Sequence, residues 1–185
     1  MGFIETILIK DTIQNLKLHN DRMNKTRKYF FNAKPIDLAN YIEIKQNKRV
    51  RILYNEEILK VEYFDLISRE FNKFKIVESN IDYKFKSENR EELNSLKVKD
   101  YDEVIIVKNG FITDTTISNL AFYDGKEWFT PNTPLLEGTK RAELLQKGFL
   151  KEKNIKVDEL KNYKKFAMMN AIIGFYEKDI NCIKL

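Results

Sequence analysis

The sequence predicts a two-lobed α+β protein, with a small N-terminal α/β lobe over 1–81 and a C-terminal β-rich lobe with helices over 82–185. Three observations predict it. The 185 residues suffice for one ordinary core or two small lobes, and 43% hydrophobic with 33% charged residues is a globular composition. The first half interleaves apolar, β-rich runs with helical stretches. The second half changes texture to short strands punctuated by Asn109-Gly110 and Asp124-Gly125, both hairpin signals.

Taken in order, Phe3 to Ile9 is rich in Ile, Phe and Thr and reads as a strand. Leu18 to Phe31 fits a helix with a cationic close at Lys25, Arg27 and Lys28, which suits the helix dipole. Pro35 at the head of Ile36 to Ile42 predicts a second short helix. Arg49–Tyr54, Ile58–Ile67 and Phe74–Asn80 are β-rich and are expected to join the first strand in one antiparallel sheet. A helix is expected over Asn89–Leu96. Glu103–Lys108 is a strong apolar strand, and short strands follow near 112–116, 120–123 and 128–130. Gly138–Lys147 reads as a helix ended by Gly148. A short stretch at Ile155–Val157, a short helix near Asp158–Leu160 and a strand over Phe166–Met169 complete the chain.

Composition narrows the chemistry. With Cys182 as sole cysteine and His19 as sole histidine, a Cys/His zinc site, an intrachain disulfide and a Ser/His/Asp hydrolase are all disfavoured, and no metal is expected. The excess of 33 basic over 28 acidic residues favours anionic partners without choosing among them. Lysines mixed with aromatics over Lys161–Phe166 read as a solvated edge, so nucleic acid is not expected as a partner. No signal peptide or membrane span is read, which leaves a cytoplasmic location as the expectation.

Several elements recur in a telling order. Asp114 is followed five residues on by Asn119, then by Leu120-Ala121-Phe122. Next come Trp128-Phe129-Thr130-Pro131 and Leu135-Leu136-Glu137-Gly138-Thr139-Lys140-Arg141. Upstream lie Phe3-Ile4-Glu5-Thr6, His19-Asn20-Asp21-Arg22 and Lys86-Ser87-Glu88-Asn89-Arg90. This series resembles the class IV aminotransferases, the family of branched-chain aminotransferases, D-amino-acid aminotransferases and 4-amino-4-deoxychorismate lyases. Two departures are visible: Asp114 stands where the family has Glu, and the aromatic Phe122 falls one residue late.

The resemblance implies a fold-type IV pyridoxal 5'-phosphate (PLP) enzyme, with the cofactor in the cleft of the two lobes. Lys86 matches the lysine that holds the cofactor through its amine, with Lys84 as the rival two residues away. Asp114 matches the carboxylate that keeps the ring nitrogen protonated, and its shorter side chain reaches roughly 1.5 Å less than Glu. Arg22 matches the arginine that grips the phosphate, a task suited to a planar guanidinium. Asn119, Gly138, Thr139, Asn170 and Ala171 complete the expected cofactor contacts, the glycine and Thr139 because a helix N-terminus there would aim free N–H groups at an anion. Arg90 is a weaker candidate for substrate, and on a helix beginning early enough it would share a face with Lys86. His19 is read as structural.

Each residue also has a plainer reading. Asp114 could be a hairpin residue, Lys86 one solvated lysine among many, Arg22 a surface cation and Gly138 an ordinary helix start. The resemblance further implies an anionic, amino-acid-like substrate and a homodimer. The Lys-x-x-Asn-Arg and Asn-Ala-Ile patterns are similar to the aminodeoxychorismate lyase branch, which makes 4-aminobenzoate and pyruvate for folate synthesis. An amino-acid transaminase, or a non-catalytic binding protein on the same fold, remains open. Relative to the family pattern the chain is short ahead of the Phe-Glu-Thr strand, so substrate choice is the less determined part.

Overall fold

The structure is a computed structural model and describes residues 1–184. It consists of two compact units, one built from Met1–Ser68 with Phe85–Asn89, the other from Arg69–Lys84 with the chain from Arg90 onward. The sequence placed a single boundary after residue 81, whereas the backbone crosses from unit to unit three times. Pairing accounts for this. Residues 85–89 return to the first strand, where Ile4 N–H donates to the Lys86 carbonyl at 2.9 Å and Glu88 N–H to the Gly2 carbonyl at 3.0 Å.

In the first unit, β1 (Phe3–Ile9), β2 (Lys48–Tyr54) and β3 (Ile58–Asp65) form an antiparallel sheet in that order. Strand alternation puts Phe3, Glu5, Ile7 and Ile9 on one face, beside Val50, Ile52 and Tyr54, all of them buried. Helix α1 (Leu16–Phe31) packs Met23 into that face, giving one small core. The helix stops at Asn32, whose φ of 51° and backbone N–H to the Arg27 and Lys28 carbonyls make a left-handed cap. The helix expected over 36–42 shrinks to a 3-10 turn, Leu38–Asn40. Side chains explain this: Asn24 and Asn20 accept the backbone N–H groups of Ile36 and Leu38, and Asp37 accepts that of Ala39, so little is left for a longer helix to satisfy.

The second unit holds β4 (Phe74–Glu78), α2 (Glu91–Ser95), β5 (Glu103–Lys108), β6 (Phe111–Thr115), β7 (Asn119–Tyr123), β8 (Trp128–Pro131) and α3 (Thr139–Gln146). These are followed by β9 (Leu150–Lys153), β10 (Lys165–Asn170), β11 (Gly174–Asp179) and β12 (Ile183–Lys184). Its main sheet runs β11-β10-β7-β6-β5-β4-β12, with β8 and β9 branching from β7. Strand β4 therefore belongs here and not with β1–β3 as expected. It pairs in parallel with β5, and its Phe74 is fully buried edge-to-face on Phe166 at 4.9 Å. Strands β9 and β11 are not foreseen by the sequence, since β9 buries only Leu150, β11 is mostly half-buried, and neither carries much apolar alternation. The expected stretch at 155–157 forms one bridge, Phe111 to Lys156, rather than a strand.

Two local features position the site. Asn109 and Gly110 take φ of 53° and 77°, the left-handed pair that joins β5 to β6 in a tight hairpin. The ladder then slips: Val107 opposes Ile112 but Ile105 opposes Thr115, so β6 carries an extra residue at Thr113–Asp114. Such bulges re-aim a side chain. Here the side chain is the buried Asp114.

Candidate active site

Lys86 sits at the apex of a three-residue turn, Ser87 N–H donating to the Phe85 carbonyl at 2.8 Å. It is half-buried and its neighbour Lys84 is exposed. Because α2 begins only at Glu91, Lys86 is not helical, and the shared helix face with Arg90 does not exist.

Close to Lys86 in the same unit lies a carboxylate-centred cluster. Glu5, 0% exposed on β1, accepts from Arg22 Nε at 2.8 Å and Nη2 at 2.6 Å, and its Oε2 lies 2.6 Å from His19 Nδ1. His19 and Arg22, three residues apart on α1, share the helix face that covers the strand. Burial raises the Glu5 carboxyl, but the Arg22 charge and the hydrogen bonds from His19 and Arg22 outweigh it and bring it down to about 2. His19 is lowered, first by burial and further by the Arg22 and Lys86 charges, against the pull of Glu5. The imidazole is therefore neutral, and since an ionised carboxylate only accepts, Nδ1 carries the proton. The sequence reading passes over Glu5 except as a strand residue. One acid on an otherwise apolar strand face is the signal that finds it.

In the second unit, Asp114 is buried on β6. Its Oδ1 accepts from Asn119 Nδ2 at 2.8 Å and its Oδ2 from Leu136 N–H at 2.9 Å. Desolvation raises this carboxyl to about 7, against those hydrogen bonds and the charge of Arg141. Gly138 caps α3, and a Cβ on it would fall 1.9 Å from Asn119 Oδ1, so only glycine fits. Thr139, 4% exposed, opens the helix. Asn170 donates to the Ile117 carbonyl at 3.0 Å and accepts from Ile172 and Ile173 N–H, both at 2.9 Å, which ties the end of β10 to the β6–β7 turn. Ala171 follows, half-buried.

Arg90 is held by partners in its own unit. Its guanidinium donates to the Thr116 carbonyl at 2.6 Å and the Tyr83 hydroxyl at 3.1 Å, and lies over the Tyr83 ring. Buried Glu103, which the sequence reading also passes over, accepts the Thr116 hydroxyl at 2.8 Å. Thr116 is thus held from two sides.

The donor chemistry fits PLP. A half-buried lysine, a guanidinium oriented by a carboxylate, a helix N-terminus opened by glycine, and a buried carboxyl are each present. The Asp114 oxygens accept from Asn119 Nδ2 and from the Leu136 and Leu135 backbone, and a carboxyl has lone pairs beyond these for a ring N–H. Among the described residues no group of His, Cys, Asp or Glu could hold a metal ion, and no helix is long and apolar enough to cross a membrane.

Residues 87–177 match the family described as amino-transferase class IV. An uncharacterised Haemophilus influenzae protein is 34% identical over 182 residues, 92% of this chain and 97% of that protein. A Haemophilus somnus structure, provisionally assigned as a 4-amino-4-deoxychorismate lyase, is 32% identical, covers 94% of this chain and 97% of its own, and superposes with a TM-score of 0.87. A Mycobacterium tuberculosis aminotransferase-fold protein in its PLP-bound form shares the fold at TM-score 0.78, with 14% identity over 95% of this chain and 79% of that one. With the motif order, the two-unit α+β architecture and a relative this similar along nearly its whole length, the chain belongs to the class IV aminotransferase family, whose members are PLP-dependent transaminases and lyases.

Proposed function

We propose that this chain is a PLP-dependent lyase that converts 4-amino-4-deoxychorismate to 4-aminobenzoate and pyruvate, a step of folate synthesis, as a cytoplasmic homodimer. Its similarity to the Haemophilus somnus protein supports the branch, as does a 78-residue match at 35% identity to a Schizosaccharomyces pombe protein given the same provisional activity. The single observation that carries the chemistry is Lys86, held at a turn apex and close enough to the Glu5–His19–Arg22 cluster for its charge to act on His19.

When bound, PLP supplies an electron sink for the carbon that bears the substrate amine. The residues do the rest. Lys86 would hold the cofactor through its amine, and the same amine would serve as general base for the proton on that carbon. Loss of that proton would let the C–O bond on the neighbouring carbon break, so that the ring becomes aromatic and the enolpyruvate released takes up a proton to give pyruvate. Arg22 would supply the guanidinium for the phosphate; in the second unit, Thr139 and the start of α3 would offer backbone donors to an anion, and Asp114 would keep the ring nitrogen protonated. Asn170 at the end of β10 and Ala171 just after it would shape the phosphate end. The net +5 charge suits a dianionic substrate.

Incubating purified protein and PLP with 4-amino-4-deoxychorismate, beside a panel of amino acids with 2-oxoglutarate, separates the branches. Release of 4-aminobenzoate supports the lyase. Amino transfer without it would make the protein a transaminase, and a protein that takes up no PLP would leave only a binding role.

A further inference from the structure

We infer that Asn119 is a positioning residue that joins the Asp114 carboxyl to the loop leading into α3, so that one side chain sets both the ring-nitrogen end and the phosphate end of the cofactor. This rests on the roles proposed above for Asp114 and the start of α3. The hydrogen bonds close a ring. Asn119 Nδ2 donates to Asp114 Oδ1 at 2.8 Å and to the Leu136 carbonyl at 2.7 Å, while Leu136 N–H donates to Asp114 Oδ2 at 2.9 Å. Both amide hydrogens of Asn119 are thereby used, and the residue is 5% exposed, so it has no donor left for a ligand. Its remaining polar atom, Oδ1, lies against Gly138, the cap of α3, where a Cβ would come within 1.9 Å.

The spacing follows from the same geometry. Asp114 and Asn119 are paired across β6 and β7, and the four residues between them form a turn in which the Thr115 hydroxyl accepts from Ile117 and Ser118 N–H. Five residues of separation therefore bring the carboxyl and the amide face to face. Aspartate at 119 would remove the donors and set two carboxyl groups together. Leucine would leave the partly buried Leu136 carbonyl without its Asn119 partner, and any side chain on residue 138 would push the amide away.

The test reads cofactor binding by absorbance and fluorescence, with no turnover. Dissociation constants are measured on the full chain for PLP, for pyridoxal, which lacks the phosphate, and for an analogue with carbon in place of the ring nitrogen. Wild type is expected to bind both analogues more weakly than PLP. In Asn119→Leu and in Gly138→Ala, PLP binding should fall by about tenfold or more, and both analogue penalties should shrink together. Gly138→Ala should cost less than about twofold when Asn119→Ser has already removed the crowded amide. Where Asn119→Leu fails to fold, the Gly138→Ala pair carries the comparison. Loss confined to one end of the cofactor, or strictly additive effects, would overturn the inference while leaving the Asp114 role intact. A wild type indifferent to the ring nitrogen would overturn the Asp114 role itself, and the coupling with it.

Discussion

Glu5 receives two nitrogens of the Arg22 guanidinium, Nε at 2.8 Å and Nη2 at 2.6 Å, in a carboxylate that is fully buried. A paired fork of this kind holds a guanidinium in one plane, and the His19 bond to the same carboxylate holds Glu5 in turn. The arginine expected to grip a phosphate is thus aimed before any ligand arrives.

Glu5→Gln should keep the shape but lose the charge and one good acceptor. PLP affinity is expected to drop by about tenfold, with pyridoxal binding little changed, because the damage falls on the phosphate grip. Equal losses for both ligands would show that Glu5 supports the fold and not Arg22.

Two buried carboxyls, Glu5 and Asp114, are shifted in opposite directions, which the cofactor-free protein should reveal. Glu5 is lowered from 4.5 to about 2, so its contribution is present above pH 4.5 and is lost as pH falls toward 2, up to about 3 kcal/mol. Asp114 is raised from 3.8 to about 7, so its contribution is full below pH 3.8 and is lost as pH rises through 7, up to about 4 kcal/mol. Urea denaturation across pH 3 to 8 should therefore show Asp114→Asn with a flatter fall between about pH 4 and 7 than wild type. A slope identical to wild type would mean that Asp114 is ionised throughout that range.

Lys86→Ala should abolish the visible absorption of the protein reconstituted with PLP, whereas Lys84→Ala should keep it. Lys84 is exposed, whereas Lys86 occupies the turn that β1 holds in place. Spectra of the two purified variants decide, and a colour lost with Lys84 alone would reassign the lysine.

Arg90→Ala should act on stability. It removes the donors to the Thr116 carbonyl and the Tyr83 hydroxyl and should cost about 1–3 kcal/mol, read as a shifted urea midpoint. A raised KM at unchanged stability would return Arg90 to the substrate.

Local elements were the legible part of the fold. β1, α1, β2, the Asn109-Gly110 hairpin and α3 lie where periodicity and end signals put them, within a residue or two. Partner choice was not legible. The apolar run at Phe74 reads as a strand in any sheet, and only the distant Phe166 and the β5 edge decide which one it joins. The charged β9 and half-buried β11 carry no periodic signal, because an edge needs backbone pairing more than apolar side chains.

The candidate site divides in the same way. The order of its motifs, the five-residue step from Asp114 to Asn119, the glycine before Thr139 and the single histidine are properties of the sequence alone. That Glu5 anchors Arg22 and His19, that Asn119 spends its amide on Asp114 and Leu136, and that Arg90 turns to Thr116 were decided by the tertiary structure. The reason is physical. A hydrogen-bond partner, and the desolvation that moves a carboxyl to about 2 or about 7, depend on what packs around a side chain from residues far along the chain.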